Sequence, residues 1–456
     1  MQLFRSRGRA TFVVIAMLCT ACSSTGGHSA SLPSTSTSTP YASTPTNSIT
    51  PTNVSTPTPP SVLADPGTYG PQELRYAYQV DSLLQQGITG KNQRVVVTVS
   101  YGNPHLQDEF NAYTTFYHLP PLTLDIVAPL GPTPPASGDP FDKKEHTGWA
   151  IETAIDVEMI HAMAPDAQIT VLTSPVDTTE GSGGLPQFRQ LIQFAMSHYP
   201  GAISSNSWAF SEASLQDAAG QAEIQQWGPL LQQATLEKGM TFFFASGDLG
   251  ATDYTDKYYT SLSPTATTEF PADEPWVTGV GGTSLTFKSG QPIETAWTNT
   301  GRGASGGGMS QFFDEPSFQQ LLATTSQTQL ATKRGVPDVA AIGDPNTGVK
   351  VYANGQWLTQ LGGTSIGTPI WAGILALANQ KAGRPLGYIN PLLYAIGTSN
   401  RASDDFRDIT IGNNSMHLKG VNVQGYSASS GWDPITGFGS PIVSQLIPDL
   451  ISQANH

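Results

Sequence analysis

The chain has 456 residues, of which 21 are Lys or Arg and 35 are Asp or Glu, for a formal charge of −14 with only 12% charged side chains. No basic stripe is available to neutralise phosphates, which excludes a nucleic-acid binder. Neither heptads nor a Gly-X-Y period occurs, which excludes coiled coil and collagen, while 38% hydrophobic residues supply a large core and 46 Gly with 35 Pro predict many turns.

The N-terminus carries Arg5, Arg7 and Arg9, then an apolar run from Ala10 to Met17, then Leu-Cys-Thr-Ala-Cys ending at Cys22. A dozen apolar residues fall short of the ~20 that span a bilayer, so residues 1–22 read as an export signal rather than a membrane anchor. Thr20 and Ala21 before Cys22 resemble a lipoprotein-type signal in which Cys22 carries the lipid; ordinary secretion with nearby cleavage is the alternative. Both cysteines, Cys19 and Cys22, lie here, so the exported body has no disulfide. Residues 23–66 are Ser, Thr, Pro and small residues, a composition expected to form a disordered tether. One folded unit, 67–456, follows, expected outside the cell or on its surface, monomeric, and touching a membrane only through the lipid.

In chain order, 72–86 has helical spacing and ends at Gly87, and 94–100 reads as a buried strand. After a Pro-rich loop at 129–140 come a helix at 148–163, a strand at 168–172, a helix at 186–197, a strand at 202–205, a helix at 222–238 and a strand at 241–245. Strands separated by helices of this length mean βαβ units, an α/β fold and a mainly parallel sheet. Ligands in such folds collect beyond the carboxyl ends of the strands. Three places there carry polar residues: Ser207-Trp208, Ser246-Gly247-Asp248 and Gly363-Thr364-Ser365.

Ser365 opens an apolar helix behind two glycines, where free backbone N–H groups and the helix dipole favour developing negative charge. It suits a nucleophile and, equally, a helix cap. A serine nucleophile needs a base. The histidines His105, His118, His146, His161, His198 and His417 show no His-Gly-Thr helix start, and the first strand ends Ser100-Tyr101 without a carboxylate. Glu152 and Asp156, four apart on the 148–163 helix, share one face without a neighbouring cation; a proton held between them would make Glu152 a usable base. Glu158 fits a solvated face instead. Asp248 follows an apolar strand; it can cap a turn or, protonated in acid, donate to an oxyanion beside the Ser365 N–H.

These residues, with Ser-Asn-Ser-Trp at 205–208, Ala-Ser-Gly-Asp at 245–248, Phe-Pro-Ala-Asp-Glu-Pro-Trp-Val-Thr-Gly-Val-Gly-Gly-Thr at 270–283, Ser-Gly-Gly-Gly at 305–308, Arg-Gly-Val-Pro-Asp-Val-Ala-Ala at 334–341 and Gly-Gly-Thr-Ser at 362–365, resemble the sedolisins, the serine-carboxyl peptidases. The resemblance implies a subtilisin-like three-layer fold with helices on both faces of the sheet, and acid-acting endopeptidase activity on proteins or peptides. Ser365 would be nucleophile, Glu152 base, Asp156 its partner and Asp248 the oxyanion residue. It also implies a structural Ca²⁺ held by Asp408 and Asp433 with the carbonyls of Ile409, Ser429 and Gly431. Ser100 and Tyr101 depart from an acidic strand end common in the family, which implies a shifted pH profile. The 23–66 tether is too short to be the family's large pro-domain. The rival expectations are a neutral-pH subtilisin using His146 and a silent peptide-binding surface domain.

Overall fold

A computed structural model describes residues 63–178, 184–299, 301–323, 326 and 330–456. The export signal, Cys22 and the tether up to residue 62 lie outside the described residues. From Ala64, whose N–H reaches Glu73 Oε1 at 3.1 Å, the chain is bonded to the body.

Eight strands form the main sheet: β1 Arg94–Ser100, β2 Asp125–Val127, β3 Gln168–Ser174, β4 Ile203–Asn206, β5 Thr241–Ala245, β6 Thr278–Lys288, β7 Gln291–Ala296 and β8 Val339–Ile342. Their order is β8-β6-β5-β4-β1-β3-β2, every neighbour in it parallel, with β7 turning back antiparallel on β6. Every residue of β4 and β5, and all but the first of β1 and β3, is buried, as a sheet covered on both faces requires. The runs Val-Val-Val in β1 and Phe-Phe-Phe in β5 fill that two-sided interior. The expected α/β, mainly parallel architecture is therefore the one observed.

Among the helices, α1 Leu106–Phe116 packs on α2 Pro140–Met163, which crosses β1 and packs along α5 Thr364–Ala382; α5 lies over β4, β5, β6 and β8. Helices α3 Gly184–His198 and α4 Ala218–Leu236 pack on each other, and α3 also contacts β1 and β3. Three expectations change. Helix 72–86 is broken into Pro71–Tyr78 and Asp81–Leu84, because Gln79 adopts a left-handed conformation at φ 60°. Helix α2 begins eight residues earlier than its apolar periodicity indicates. Asp139 caps it by accepting from Phe141 N at 3.0 Å, and Pro140 occupies the first turn, where its missing N–H costs nothing. Glu158, expected on a solvated face, is fully buried and accepts from Tyr352 N at 3.3 and 3.2 Å, because the hairpin of β9 Val349–Ala353 and β10 Gln356–Leu361 covers that side of α2. Among the described residues no helix is long and apolar enough to cross a membrane.

Candidate functional site

Ser365 owes its place to Gly363, which caps α5 with φ +116°, a conformation a side chain would strain. The Gly363 N–H reaches Gly343 O at 2.7 Å, pinning the turn to the end of β8. Ser365 then stands in the first turn of α5. Further on, Pro369 has no N–H to give the Ser365 carbonyl. The Ser207 hydroxyl lies 3.4 Å from that carbonyl.

Helix α2 brings its two acids to the same place. The Ser365 hydroxyl lies within hydrogen-bond reach of the Glu152 carboxyl, and Ser207 Oγ donates to Asp156 Oδ1 at 2.6 Å. Glu152 is 1% exposed and Asp156 0%. Among the described residues Glu152 Oε1 and Asp156 Oδ2 have no hydrogen-bond partner and no cation forms an ion pair with either acid. Burial pushes Glu152 well above the usual carboxyl range, the Asp156 charge adds to it, and the Ser365 hydroxyl opposes it. Burial likewise pushes Asp156 up against the donation from Ser207. With both carboxyls raised, one member of the pair stays protonated where a free carboxyl would ionise, and the singly ionised pair can accept another group's proton.

Asp248 faces the same helix start from β5. Its Oδ1 takes the Thr364 N–H at 2.7 Å and the Thr364 hydroxyl at 2.9 Å, while Oδ2 is enclosed without a partner. As a whole residue it is only half-buried, although Oδ2 itself is buried. Burial raises its pKa to about 6 despite both Thr364 bonds. The turn is laced to the glycine run: Gly306 N donates to Gly247 O at 2.8 Å, and Ser246 Oγ to Gly306 O at 2.8 Å. A Cβ on Gly306 would lie 2.0 Å from Ser246 O, so only glycine lets the two turns approach this closely.

All four residues singled out in the sequence thus converge. The histidines do not. His146 stacks on Tyr101 with ring centroids 3.8 Å apart, and its Nε2 is 3.7 Å from Asp142. His161 is buried with Nε2 on Pro120 O, and burial lowers it to about 4. At the end of β1, Ser100 is buried and its Oγ has no partner among the described residues. Beneath the site Thr98 links Trp208 Nε1, at 2.9 Å, to Asn206 Oδ1, at 2.6 Å. Ser207 and Thr364 are the residues whose contacts local sequence could not reveal; their only signal was their position just beyond a strand or at a helix start.

In the C-terminal part, Asp408 and Asp433 both reach toward residues 429–431. Asp408 Oδ2 accepts from Gly431 N and Ser430 Oγ, each at 3.1 Å, and Asp433 Oδ2 from Ser429 N at 3.2 Å. Asp433 is 0% exposed and burial raises it to about 7, and no Lys or Arg among the described residues pairs with either carboxylate. Two carboxylates from two converging loops, one buried without a cation, fit a hard oxygen-binding ion such as Ca²⁺. No cluster of three or more His, Cys, Asp or Glu occurs among the described residues, so backbone carbonyls would have to complete such a shell.

The model of the Subtilase family matches residues 144–391. The chain is 34% identical over 400 residues to kumamolisin of Bacillus sp. (strain MN-32), covering 86% of this chain and 65% of that protein. It is 33% identical over 319 residues to human (Homo sapiens) tripeptidyl-peptidase 1, covering 66% of this chain and 52% of that protein. The chain therefore spans between about half and two thirds of the length of the curated relatives it matches. Among solved structures, a Pseudomonas sedolisin, a serine-carboxyl proteinase complexed with two molecules of pseudo-iodotyrostatin, superposes with a TM-score of 0.70 at 25% identity, over 84% of this chain and 98% of that one. With its parallel sheet and these likenesses, the chain belongs to the subtilase family and, within it, to the sedolisins.

Proposed function

We propose that this protein is an acid-acting serine-carboxyl endopeptidase in which Ser365 is the nucleophile, Glu152 the general base, Asp156 its partner and Asp248 the oxyanion residue. The observation that carries the reading is the meeting of the Ser365 hydroxyl, within hydrogen-bond reach, with a glutamate buried beside a second acid. Glu152 takes the Ser365 proton as Oγ attacks the substrate carbonyl. The negative charge that develops on the carbonyl oxygen is met by the Ser365 N–H at the helix start and by a protonated Asp248. Glu152 then returns the proton to the leaving amine, and a water deprotonated by the same carboxylate hydrolyses the acyl-enzyme. An imidazole base would be mostly protonated at pH 4, whereas a carboxylate still accepts protons there. The Ser207 hydroxyl fixes Asp156 behind the base.

The reading includes export and attachment through Cys22, placing the peptidase at the cell surface with protein or peptide substrates. It also includes one structural Ca²⁺ held by Asp408, Asp433 and the carbonyls of Ile409, Ser429 and Gly431, which would tie two loops together. The deciding experiment compares wild type, Ser365→Ala and Glu152→Gln on an unfolded protein substrate from pH 2 to 8, with product lengths read by mass spectrometry. An acid optimum, internal cleavage, and loss of at least about a thousandfold in both variants are expected. Products that are uniformly tripeptides would replace endopeptidase with an exopeptidase, and full activity in Ser365→Ala would leave a silent binding domain.

A further inference from the structure

Four carboxyl groups unused by this chemistry gather behind the Asp248 turn: Glu212, Asp253, Glu269 and Asp273, each no more than 5% exposed. Glu269 begins a two-residue strand, Glu269–Phe270, paired antiparallel with Phe210–Ser211, and Glu212 follows directly on that partner. Asp253 lies on the loop leaving Asp248, and Asp273 on the turn after Phe270. The Glu269 carboxyl is within hydrogen-bond reach of Asp253, and that of Asp273 within reach of Glu212.

The remaining partners show what these pairs require. Glu212 accepts from Ser310 Oγ at 2.5 Å, Gln311 N at 2.6 Å and Phe312 N at 3.2 Å. Asp253 Oδ1 accepts from Tyr254 N at 2.5 Å, and Asp273 Oδ2 from Thr268 Oγ1 at 2.9 Å. Glu269 Oε2 and Asp273 Oδ1 have no partner among the described residues. Two ionised carboxylates have no donor to offer each other; one proton per pair makes an O–H···O bond and removes the repulsion. The cation that acts on Asp273 is Arg334, already held at 2.6 Å by Asp338. Glu274, the next acid in the chain, is also buried and accepts from Trp276 N at 3.2 Å. Among the described residues no Lys, Arg or His forms an ion pair with Glu212, Glu269 or Asp273.

The quartet touches the site. A Cβ on Gly247 would lie 2.7 Å from Glu269 Cγ, so the glutamate stem is packed on the residue preceding Asp248. We propose that the Asp253–Glu269 pair, backed by Glu212–Asp273, is a proton-dependent clamp that positions Asp248 over the start of α5 and releases it towards neutral pH. This rests on the oxyanion role proposed for Asp248. Burial and the neighbouring acids hold Glu269 and Asp273 well above the usual carboxyl range, so the folded chain keeps protons that the unfolded chain gives up. The clamp is then complete below the ordinary carboxyl pKa of about 4.3 and is lost as pH rises through the folded values.

The test uses Glu269→Gln and Asp273→Asn, whose amides donate as the protonated acids do. Each is made in the full chain and, to prevent self-cleavage, also with Ser365→Ala, and near-UV circular dichroism is followed from pH 3 to 9. The midpoint at which tertiary signal is lost is expected to move up by about one pH unit or more in each variant, and the neutral limb of kcat/KM to move with it. Variants that are folded at pH 4 and keep the wild-type midpoint, or lower it, overturn the clamp. If Glu269→Gln does not fold, Asp273→Asn decides, together with calorimetry of the wild type in buffers of different ionisation enthalpy at pH 6, where net proton release on unfolding is required and its absence overturns the proposal. Because the structural midpoint is read with Ser365→Ala, it stands or falls independently of whether Ser365 and Glu152 carry the chemistry.

Discussion

Asp248 is the residue whose protonation the proposed reaction needs most directly. Raised to about 6 by burial, it is a hydrogen-bond donor in acid and loses that capacity as pH passes 6. Asp248→Asn keeps an acceptor for Thr364 and gains a donor that does not titrate, so its kcat, though lower than wild type, should fall less between pH 5 and 7; a kcat–pH profile on a soluble peptide checks this. Ser207 supplies the donor to Asp156 Oδ1. Removing it in Ser207→Ala leaves Asp156 short of a partner, raises it further, and should lower kcat about tenfold or more with little change in KM, a split that steady-state kinetics at several pH values reads out. At this scale the sequence was informative where chemistry is local. The Glu152/Asp156 spacing fixes a shared helix face, whereas Glu158, two residues on, owes its burial to a hairpin nearly two hundred residues away. Nothing near Glu158 announces Tyr352.

Helix α2 carries Glu145, Glu152, Asp156 and Glu158, all buried, and has no polar side after Trp149, so its apolar periodicity alone could not locate its start. The signal that does locate it, Asp139-Pro140, sits inside a stretch whose prolines suggest a loop. The 408–410 and 429–433 loops behave oppositely: their aspartates are unremarkable as sequence, and only their convergence gives them a role. If Ca²⁺ joins them, chelation should lower Tm by several degrees, and Asp408→Ala, which alters an exposed residue, should lower Tm in calcium and abolish the further drop on chelation. Differential scanning calorimetry with and without a chelator measures both.

For the molecule as a whole, acid conditions match more than the reaction. Glu145 is raised to about 8 by burial and by Asp177, Glu274 to about 7 by burial, and Asp248 to about 6. Each folded value lies above the unfolded one, so each contribution is fully present below about pH 4 and is lost as pH climbs through the folded values. Tm should therefore be highest in acid and fall steadily between pH 5 and 8, as a calorimetric series across that range would show. Low charge content was visible in composition, but the number of acids turned inward was not. Likewise βαβ alternation made a parallel sheet legible, while the order β8-β6-β5-β4-β1-β3-β2 depends on crossovers that pattern leaves undetermined.

The stacking of His146 on Tyr101 decides how the protein should answer to reagents. Peptidyl chloromethyl ketones alkylate a ring nitrogen beside an activated serine, and here a carboxyl lies within hydrogen-bond reach of the serine's hydroxyl instead. Such compounds should leave the enzyme untouched, whereas peptide aldehydes, which need only an oxygen nucleophile to close a hemiacetal, should inhibit it in acid; titrating residual activity against each class distinguishes the two.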